Sequence, residues 1–289
     1  MIKSFIPRVA VVNDLSGFGK VSLTEACPIF SAMGVEACPL PTAVLSTHTY
    51  KFEDYTFCDM TDQMEKILEH WKNIDIGFDG ICTGYMASAR QIEILSDFIK
   101  EKKAEGTIAV IDPVLGDNEL SDAETVYYDR MSDLLAAMRS FVRLADVITP
   151  NLTEACLLLD EEFPKTFLTE AELVEMMKRL SQMGPRGIAV TSVMTDKSHM
   201  CVGVYDKDAN EAKMLDCGYI DRPFHGTGDI FAAVMTGALV RGRSVIDAAQ
   251  LAVDFVKAAI AETMKCPDIK IEYGVVFEKI LAKFFSDFE

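Results

Sequence analysis

Short β-branched runs alternate with longer stretches of helical spacing along most of this chain. The run Arg8-Val9-Ala10-Val11-Val12-Asn13 predicts a buried strand, and residues 22–33 predict a helix stopped by Gly34. A second strand is expected over 36–40 and another near 55–58. Residues 61–71 then place Met64, Ile67, Leu68 and Trp71 at helical spacing. The alternation continues with a strand over 78–83, a helix over 88–103, a strand over 107–111 behind Gly106, a helix over 126–144 and a strand over 146–148. A helix over 169–183 and a strand over 187–191 follow, 200–205 with 212–215 predicts a hairpin, and three helical stretches close the chain. Parallel neighbours need crossover connections, so the pattern predicts a three-layer α/β/α fold around a mostly parallel sheet, with ligands at the carboxyl ends of the strands. No Gly/Ser tract, low-complexity segment or internal repeat marks a boundary, and residues 1–289 are expected to form a single domain. The acidic stretch 160–165 reads as a surface loop.

Composition narrows the function classes. Hydrophobic residues make up 49% and charged residues 25% of the 289, the balance of a soluble globular protein with material for a core. The net charge of −17, without clusters of Lys and Arg, argues against a nucleic-acid partner. Attraction for an anionic ligand must then be local, from backbone dipoles and a divalent metal. Eight cysteines show no C-x-x-C pair and no regular spacing, so neither a zinc site nor a disulfide framework is expected. The first eight residues lack the apolar stretch of a signal peptide, and the most apolar later run, 230–240, is too short to span a membrane. A cytoplasmic protein without membrane contact is expected.

Candidate chemistry concentrates at the predicted strand ends. Gly226-Thr227-Gly228-Asp229 opens the apolar run Ile230-Phe231-Ala232-Ala233. Two glycines around a threonine allow a tight turn whose N–H groups point one way, and the helix dipole adds to their pull on a phosphate. Asp229 would then stand beside an attacking hydroxyl as a base, although capping of a core helix accounts equally for these four residues alone. The loop Asn13-Asp14-Leu15-Ser16-Gly17-Phe18-Gly19-Lys20 follows the first strand but meets neither the G-x-G-x-x-G nor the Walker pattern. Its Asp14 and Ser16 are candidates for hydrogen-bonding a small polar substrate, or parts of a plain turn. His48 and Thr49 lie in a loop rich in side-chain donors, and Tyr85 after Thr83-Gly84 is placed to stack on a ring. Asp112-Pro113-Val114-Leu115-Gly116-Asp117 sets two carboxylates at a strand mouth, a donor set that suits Mg²⁺. Asn151 with Glu154 is a capping signal that explains itself locally; beyond that, Glu154 is a candidate to hold a metal-bound water and Asn151 to meet a phosphate. Thr191-Ser192 ends another strand and is a candidate nucleotide contact.

In this order the motifs resemble the ribokinase-like vitamin kinases and, among them, the pyridoxal kinases. The resemblance runs through Ser46 with His48-Thr49, Thr83-Gly84-Tyr85, the D-P-V-L-G-D run from Asp112, Ile148-Thr149-Pro150-Asn151 with Glu154, Met183-Gly184-Pro185, Val190-Thr191-Ser192 and the G-T-G-D run. It implies a ribokinase-like fold and ATP-dependent phosphorylation of the 5′-hydroxymethyl of pyridoxal, pyridoxine or pyridoxamine. It also implies an anion hole from Gly226, Thr227 and Gly228, Asp229 as base, Mg²⁺ near Asp112, Asp117 and Glu154, often a monovalent cation (K⁺ or Na⁺), and a homodimer. The first loop is more similar to the D-x-S-G-G-A-G loop of hydroxymethylpyrimidine kinases, which keeps that activity as an alternative. A non-catalytic nucleotide-binding protein on the same fold is the other, and its mark, a lost base or broken anion hole, is absent from this sequence.

Overall fold

The computed structural model describes residues 5–116, 128–218, 224–266 and 268–286. Its strands are β1 (Arg8–Ser16), β2 (Glu36–Leu45), β3 (Phe57–Asp59), β4 (Gly80–Thr83), β5 (Ile108–Ile111), β6 (Val147–Ile148), β7 (Gly187–Met194), β8 (Met200–Asp206) and β9 (Glu211–Gly218). They form one sheet in the order β3-β2-β1-β4-β5-β6-β7-β8-β9. The six strands from β2 to β7 in that order run parallel, while β3 at one edge and the β8–β9 hairpin at the other are antiparallel.

Alternation along the central strands builds two cores. Val9, Val11, Val110, Val147 and Ala189 face a layer made by α1 (Leu23–Ala32), α7 (Thr227–Val240), α8 (Val245–Thr263) and α9 (Glu278–Phe284). Ala10, Val12, Ala109, Ile111, Ile148 and Val190 face α2 (Thr61–Asn73), α3 (Ala89–Lys103), α4 (Tyr128–Phe141), α5 (Leu152–Leu159) and α6 (Glu170–Gln182). Strands covered on both faces must be apolar throughout, which is why these segments read as continuous Val/Ile/Ala runs. The predicted helix stops hold: Gly34 (φ 68°) and Gly106 (φ 95°) take left-handed backbone just past α1 and α3.

Several strands outrun their predicted lengths, among them β1, β2, β7 and β9. β1 continues through Asp14-Leu15-Ser16, where a loop is expected, because β2 also extends and pairs with it across a register shift, Leu15 opposite Val44 and Ser16 opposite Leu45. The inward positions of that extension are polar, so hydrophobic alternation does not reveal it. β7 likewise runs on to Met194, paired with β8. The helix expected over 126–144 is α4 followed by a 3₁₀ turn at Val142–Leu144; residues 126 and 127 lie outside the described ones. All eight cysteines are free, with Cys58 exposed on the edge strand β3. Among the described residues no helix is long and apolar enough to cross a membrane.

The last helix is held by rings. Phe255 of α8, fully buried, stacks on Phe285 (5.0 Å between centroids, 21° between planes) and meets Phe284 edge-on at 5.0 Å. Phe255→Ala is expected to cost about 3–5 kcal/mol in urea denaturation, the range for truncating a buried ring without collapse of the site. A loss below about 1 kcal/mol would mean that α9 settles into the vacated space, far outside that range.

Candidate active site

α7 is apolar all round because it runs through the core: the residues from Ile230 to Leu239 are all buried. Its opening residue, Gly226, adopts the left-handed backbone (φ 83°), and the first amides of such a helix have no partner within it. Thr227 Oγ1 donates to the Phe224 carbonyl at 3.1 Å, bracing the turn, and Gly228 is exposed.

Asp229, in the first turn, is tied to two other elements. Asn13 Nδ2 at the end of β1 donates to its Oδ1 at 2.7 Å, and the backbone N–H of Ser22, before α1, donates to its Oδ2 at 2.8 Å. Asn13 is itself fixed, since its Oδ1 accepts from the amides of Tyr85 (2.8 Å) and Asp14 (3.0 Å). Gly84 permits this approach: a Cβ there would stand 2.3 Å from Asn13 Nδ2. Behind Asp229, Asp14 accepts from Ser22 Oγ (2.5 Å) and Ser16 Oγ (2.7 Å). Burial first, then the Asp14 charge, push the Asp229 carboxyl up to about 6, against the hydrogen bonds from Ser22 and Asn13. A carboxyl so placed changes charge close to neutral pH, as a general base must.

The next strand mouths continue the arc. Asp112, after β5, accepts from Thr149 Oγ1 at 3.0 Å, and its Oδ2 is the atom nearest to where a Cβ on Gly228 would lie, at 3.9 Å. Burial and the charges of Glu154 and Asp229 push its carboxyl well above the usual range. Glu154 closes a capping box on α5 with Asn151: its Oε2 accepts from Asn151 N–H and its Oε1 from Leu115 N–H, both at 2.9 Å. Asn151 Nδ2 donates to the Gly116 carbonyl at 2.7 Å, and Asn151 bridges to Thr191 at the end of the parallel run. Ser192 beside it holds a left-handed backbone (φ 56°). Asp112 fits a divalent cation, because its charge is crowded by two other carboxylates and a cation would relieve it. Glu154 already accepts at both oxygens, so a metal-bound water would have to share them with the amides of Asn151 and Leu115. Asp117 lies outside the described residues.

An aromatic wall stands over the turn. His225, immediately before Gly226, packs against Tyr50 (3.8 Å between centroids) and stacks with His48 (5.4 Å, 18°). His48 is buried; its Nδ1 accepts from Tyr50 N–H at 3.2 Å, so Nε2 carries the proton and donates to the Glu272 carbonyl at 2.7 Å. Burial, then the neighbouring His48 and Lys51, hold His225 down at about 4, so it is neutral at physiological pH.

The geometry rearranges some expectations. Asp14 and Ser16 are buried and bonded to each other, which differs from the expectation that they reach a substrate ring; the extension of β1 turns them inward beneath Asp229. His48 belongs to the wall but spends both ring nitrogens on the protein, while Thr49 is exposed. Asn13, Ser22, Tyr50 and His225 are site residues that the sequence reading missed. A polar Asn at the end of an otherwise apolar strand was the available signal for the first; the others are brought in by tertiary packing alone.

The sequence profile described as phosphomethylpyrimidine kinase matches residues 28–272. The chain belongs to the phosphomethylpyrimidine kinase family. A Bacillus subtilis pyridoxine kinase is 33% identical over 65% of this chain and 66% of its own length. An Arabidopsis thaliana chloroplastic thiamine biosynthetic bifunctional enzyme is 26% identical over 88% of this chain, which spans only 47% of that longer protein. Among solved structures, a Bacteroides thetaiotaomicron protein named provisionally as a phosphomethylpyrimidine kinase and crystallised with pyridoxal is 40% identical, with a TM-score of 0.87 over 96% of both chains. The ADP complex of Bacillus subtilis pyridoxal kinase is 26% identical, with a TM-score of 0.73 over 89% of this chain and 92% of that one. The fold is therefore the ribokinase-like α/β fold, and the chain is a pyridoxal-kinase-like member of that superfamily.

Within the phosphomethylpyrimidine kinase family match, the G-T-G-D turn lies inside the matched span, whereas Asn13, Asp14 and Ser22 precede it. Glu154 offers a test of the local geometry. Replacement by Gln turns one acceptor into an N–H₂ group facing an N–H donor, so Glu154→Gln is expected to cost about 1–3 kcal/mol in chemical denaturation. Unchanged stability would show that the two amides find other acceptors.

Proposed function

We propose that this chain is an ATP-dependent kinase acting on the 5′-hydroxymethyl group of a B6 vitamer: pyridoxal, pyridoxine or pyridoxamine. The observation that carries the reading is the joining of Asp229 to the Gly226-Thr227-Gly228 turn, with the carboxyl oriented by Asn13 and Ser22 and its pKa pushed up to about 6. Asp229 takes the proton as the substrate oxygen attacks the γ-phosphorus and the bond to ADP breaks; the amides of Gly226, Thr227 and Gly228 stabilise the charge that develops. Asp112, Asp117 and Glu154 are the residues that would hold Mg²⁺, whose chemistry is to neutralise phosphate oxygens. Asn151, Thr191, Ser192 and Gly228 are assigned to the nucleotide, and the ADP complex of a relative supports the use of a nucleotide. Tyr85, His48 and Thr49, now joined by Tyr50 and His225, face the ring, and Asp14 with Ser16 supports Asp229 from behind.

Pyridoxal bound to the 40% identical relative favours a B6 vitamer. The thiamine biosynthetic relative and the first loop favour hydroxymethylpyrimidine as the alternative acceptor. A homodimer is part of the proposal: Leu15, Val44 and Phe57 are partly exposed on neighbouring strands at the β3 edge, an apolar strip suited to a second copy. A cytoplasmic setting and a monovalent cation beside the nucleotide complete it.

With both acceptors in one tube, a higher kcat/KM for pyridoxal than for hydroxymethylpyrimidine is expected, because a site built to bond particular ring groups rejects an analogue lacking them. A ratio favouring hydroxymethylpyrimidine would move the protein to thiamin synthesis.

Asp229 must be ionised to accept a proton, so activity is expected to rise with pH through about 6 and to level off above it. Asp229→Asn should lower turnover by about 10²–10⁴-fold with little change in substrate binding, read from kcat and from calorimetric titration. Retention of turnover within about tenfold of wild type would remove the base assignment.

A further inference from the structure

Glu25, in the first turn of α1, has no exposed surface, and neither of its carboxyl oxygens has a hydrogen-bond partner among the described residues. An unbonded buried carboxyl is costly, so its position calls for a reason. Its oxygens lie against Gly226: a Cβ there would stand 2.4 Å from Glu25 Oε2, 2.7 Å from Oε1 and 2.6 Å from the Lys20 carbonyl oxygen. Three oxygens thus fill the space that any side chain at this left-handed residue would need. α1 grips the same turn a second time through the Ser22 N–H to Asp229.

We propose that Glu25 is a positioning residue for the phosphate-binding turn, its carboxyl group fixing the backbone of Gly226 and, through it, the amides of Gly226, Thr227 and Gly228. The inference rests on the kinase reading of that turn. Glu25 serves in its neutral form, since no N–H or O–H reaches its oxygens to stabilise a charge. Asp229 and Glu278 also disfavour its ionisation, and the one opposing group, Lys20, is engaged with Glu278 Oε2 at 2.9 Å and the Val275 carbonyl at 3.1 Å. Burial above all pushes its pKa well above the usual range. Ionisation would put a negative charge beside the turn that receives phosphates.

The test uses Glu25→Gln and Glu25→Ala in the full-length protein. Gln keeps the shape and the neutrality, so it should retain most of the wild-type kcat. Ala removes the support and should lower kcat by on the order of 10²-fold, with KM for the vitamer changed less. A Gln variant as impaired as Ala would mean that the charge is needed, and an Ala variant as active as wild type would mean that nothing is being positioned; either overturns the proposal.

Melting temperatures supply a readout that needs no turnover. A carboxyl whose pKa is raised on folding contributes stability below the ordinary glutamate range and loses it as the pH climbs from there to the raised value. The Gln variant should therefore gain on wild type as pH rises over that window; parallel curves would contradict a neutral Glu25. Gly226→Ala strains the left-handed backbone in any background, but it should lower the melting temperature less when Glu25 is already Ala. Equal losses would show that Glu25 does not occupy that space. If the wild type phosphorylates no hydroxymethyl acceptor, the kinase reading falls, and these melting arms still judge Glu25 separately.

Discussion

Five carboxyl groups, Asp14, Glu25, Asp112, Glu154 and Asp229, gather toward one end of the sheet, and the site depends on how their charge is managed. Backbone amides and hydroxyls do most of it: Ser22 N–H and the Asn13 amide for Asp229, two serine hydroxyls for Asp14, the Thr149 hydroxyl for Asp112, two backbone amides for Glu154. Burial and neighbouring carboxylates outweigh these dipoles at Asp112 and Asp229, and Glu25 has no hydrogen bond to set against its burial, so all three remain hard to ionise. A chain of net charge −17 adds nothing to attract a nucleotide over distance. On the kinase reading, metal and ATP are then necessarily coupled: phosphates alone would meet carboxylates, whereas a metal–nucleotide complex relieves the crowding of the cluster.

Holding that cluster requires backbone that few sequences tolerate. Ser22 (φ 54°), Val114 (φ 35°) and Ser192 (φ 56°) are non-glycine residues in the left-handed region: Ser22 opens α1, Val114 follows β5, and Ser192 lies within β7 where its register against β8 shifts. Each costs on the order of 1–3 kcal/mol and persists only where the surroundings over-determine it. The two cores supply that constraint, since β1, β4, β5 and β6 are buried on both faces and cannot shift to relax their ends. Ser22 shows what the strain achieves: its N–H points at Asp229 while its hydroxyl reaches Asp14.

How much of this was legible in the sequence follows from the range of each interaction. Strands covered on both faces announce themselves as unbroken apolar runs, and the capping box of Asn151 and Glu154 is written within four residues, so the layers and the start of α5 could be read directly. The G-T-G-D turn is equally local. The end of β1 was hidden because Asp14 and Ser16 face inward as a polar pair, reversing the usual meaning of a hydrophilic stretch. Nothing within a few residues of Glu25 says that its carboxyl meets Gly226 some two hundred positions away, and the contact of Tyr50 with His225 is of the same kind. At Glu154 the cap uses one oxygen, while the other holds the Leu115 N–H, a distant contact that no local pattern announces.

The division between local motif and distant support has a consequence for reading relatives. The family match over residues 28–272 contains the turn and Asp229, but Asn13, Asp14, Ser22 and Glu25, which orient that carboxyl, set its pKa and pack against Gly226, all precede residue 28. Two proteins sharing the turn can therefore differ in when that carboxyl ionises and how firmly the amides are held. The same segment carries the first loop, whose Phe18 meets Phe52 and Tyr273 edge-on at 5.9 and 5.3 Å and so joins the aromatic wall through Phe52 and His48. On the kinase reading, tuning of the base and shaping of the acceptor pocket thus reside in one stretch of chain, β1 and the opening of α1. A change of acceptor there cannot be made without touching the groups that support Asp229.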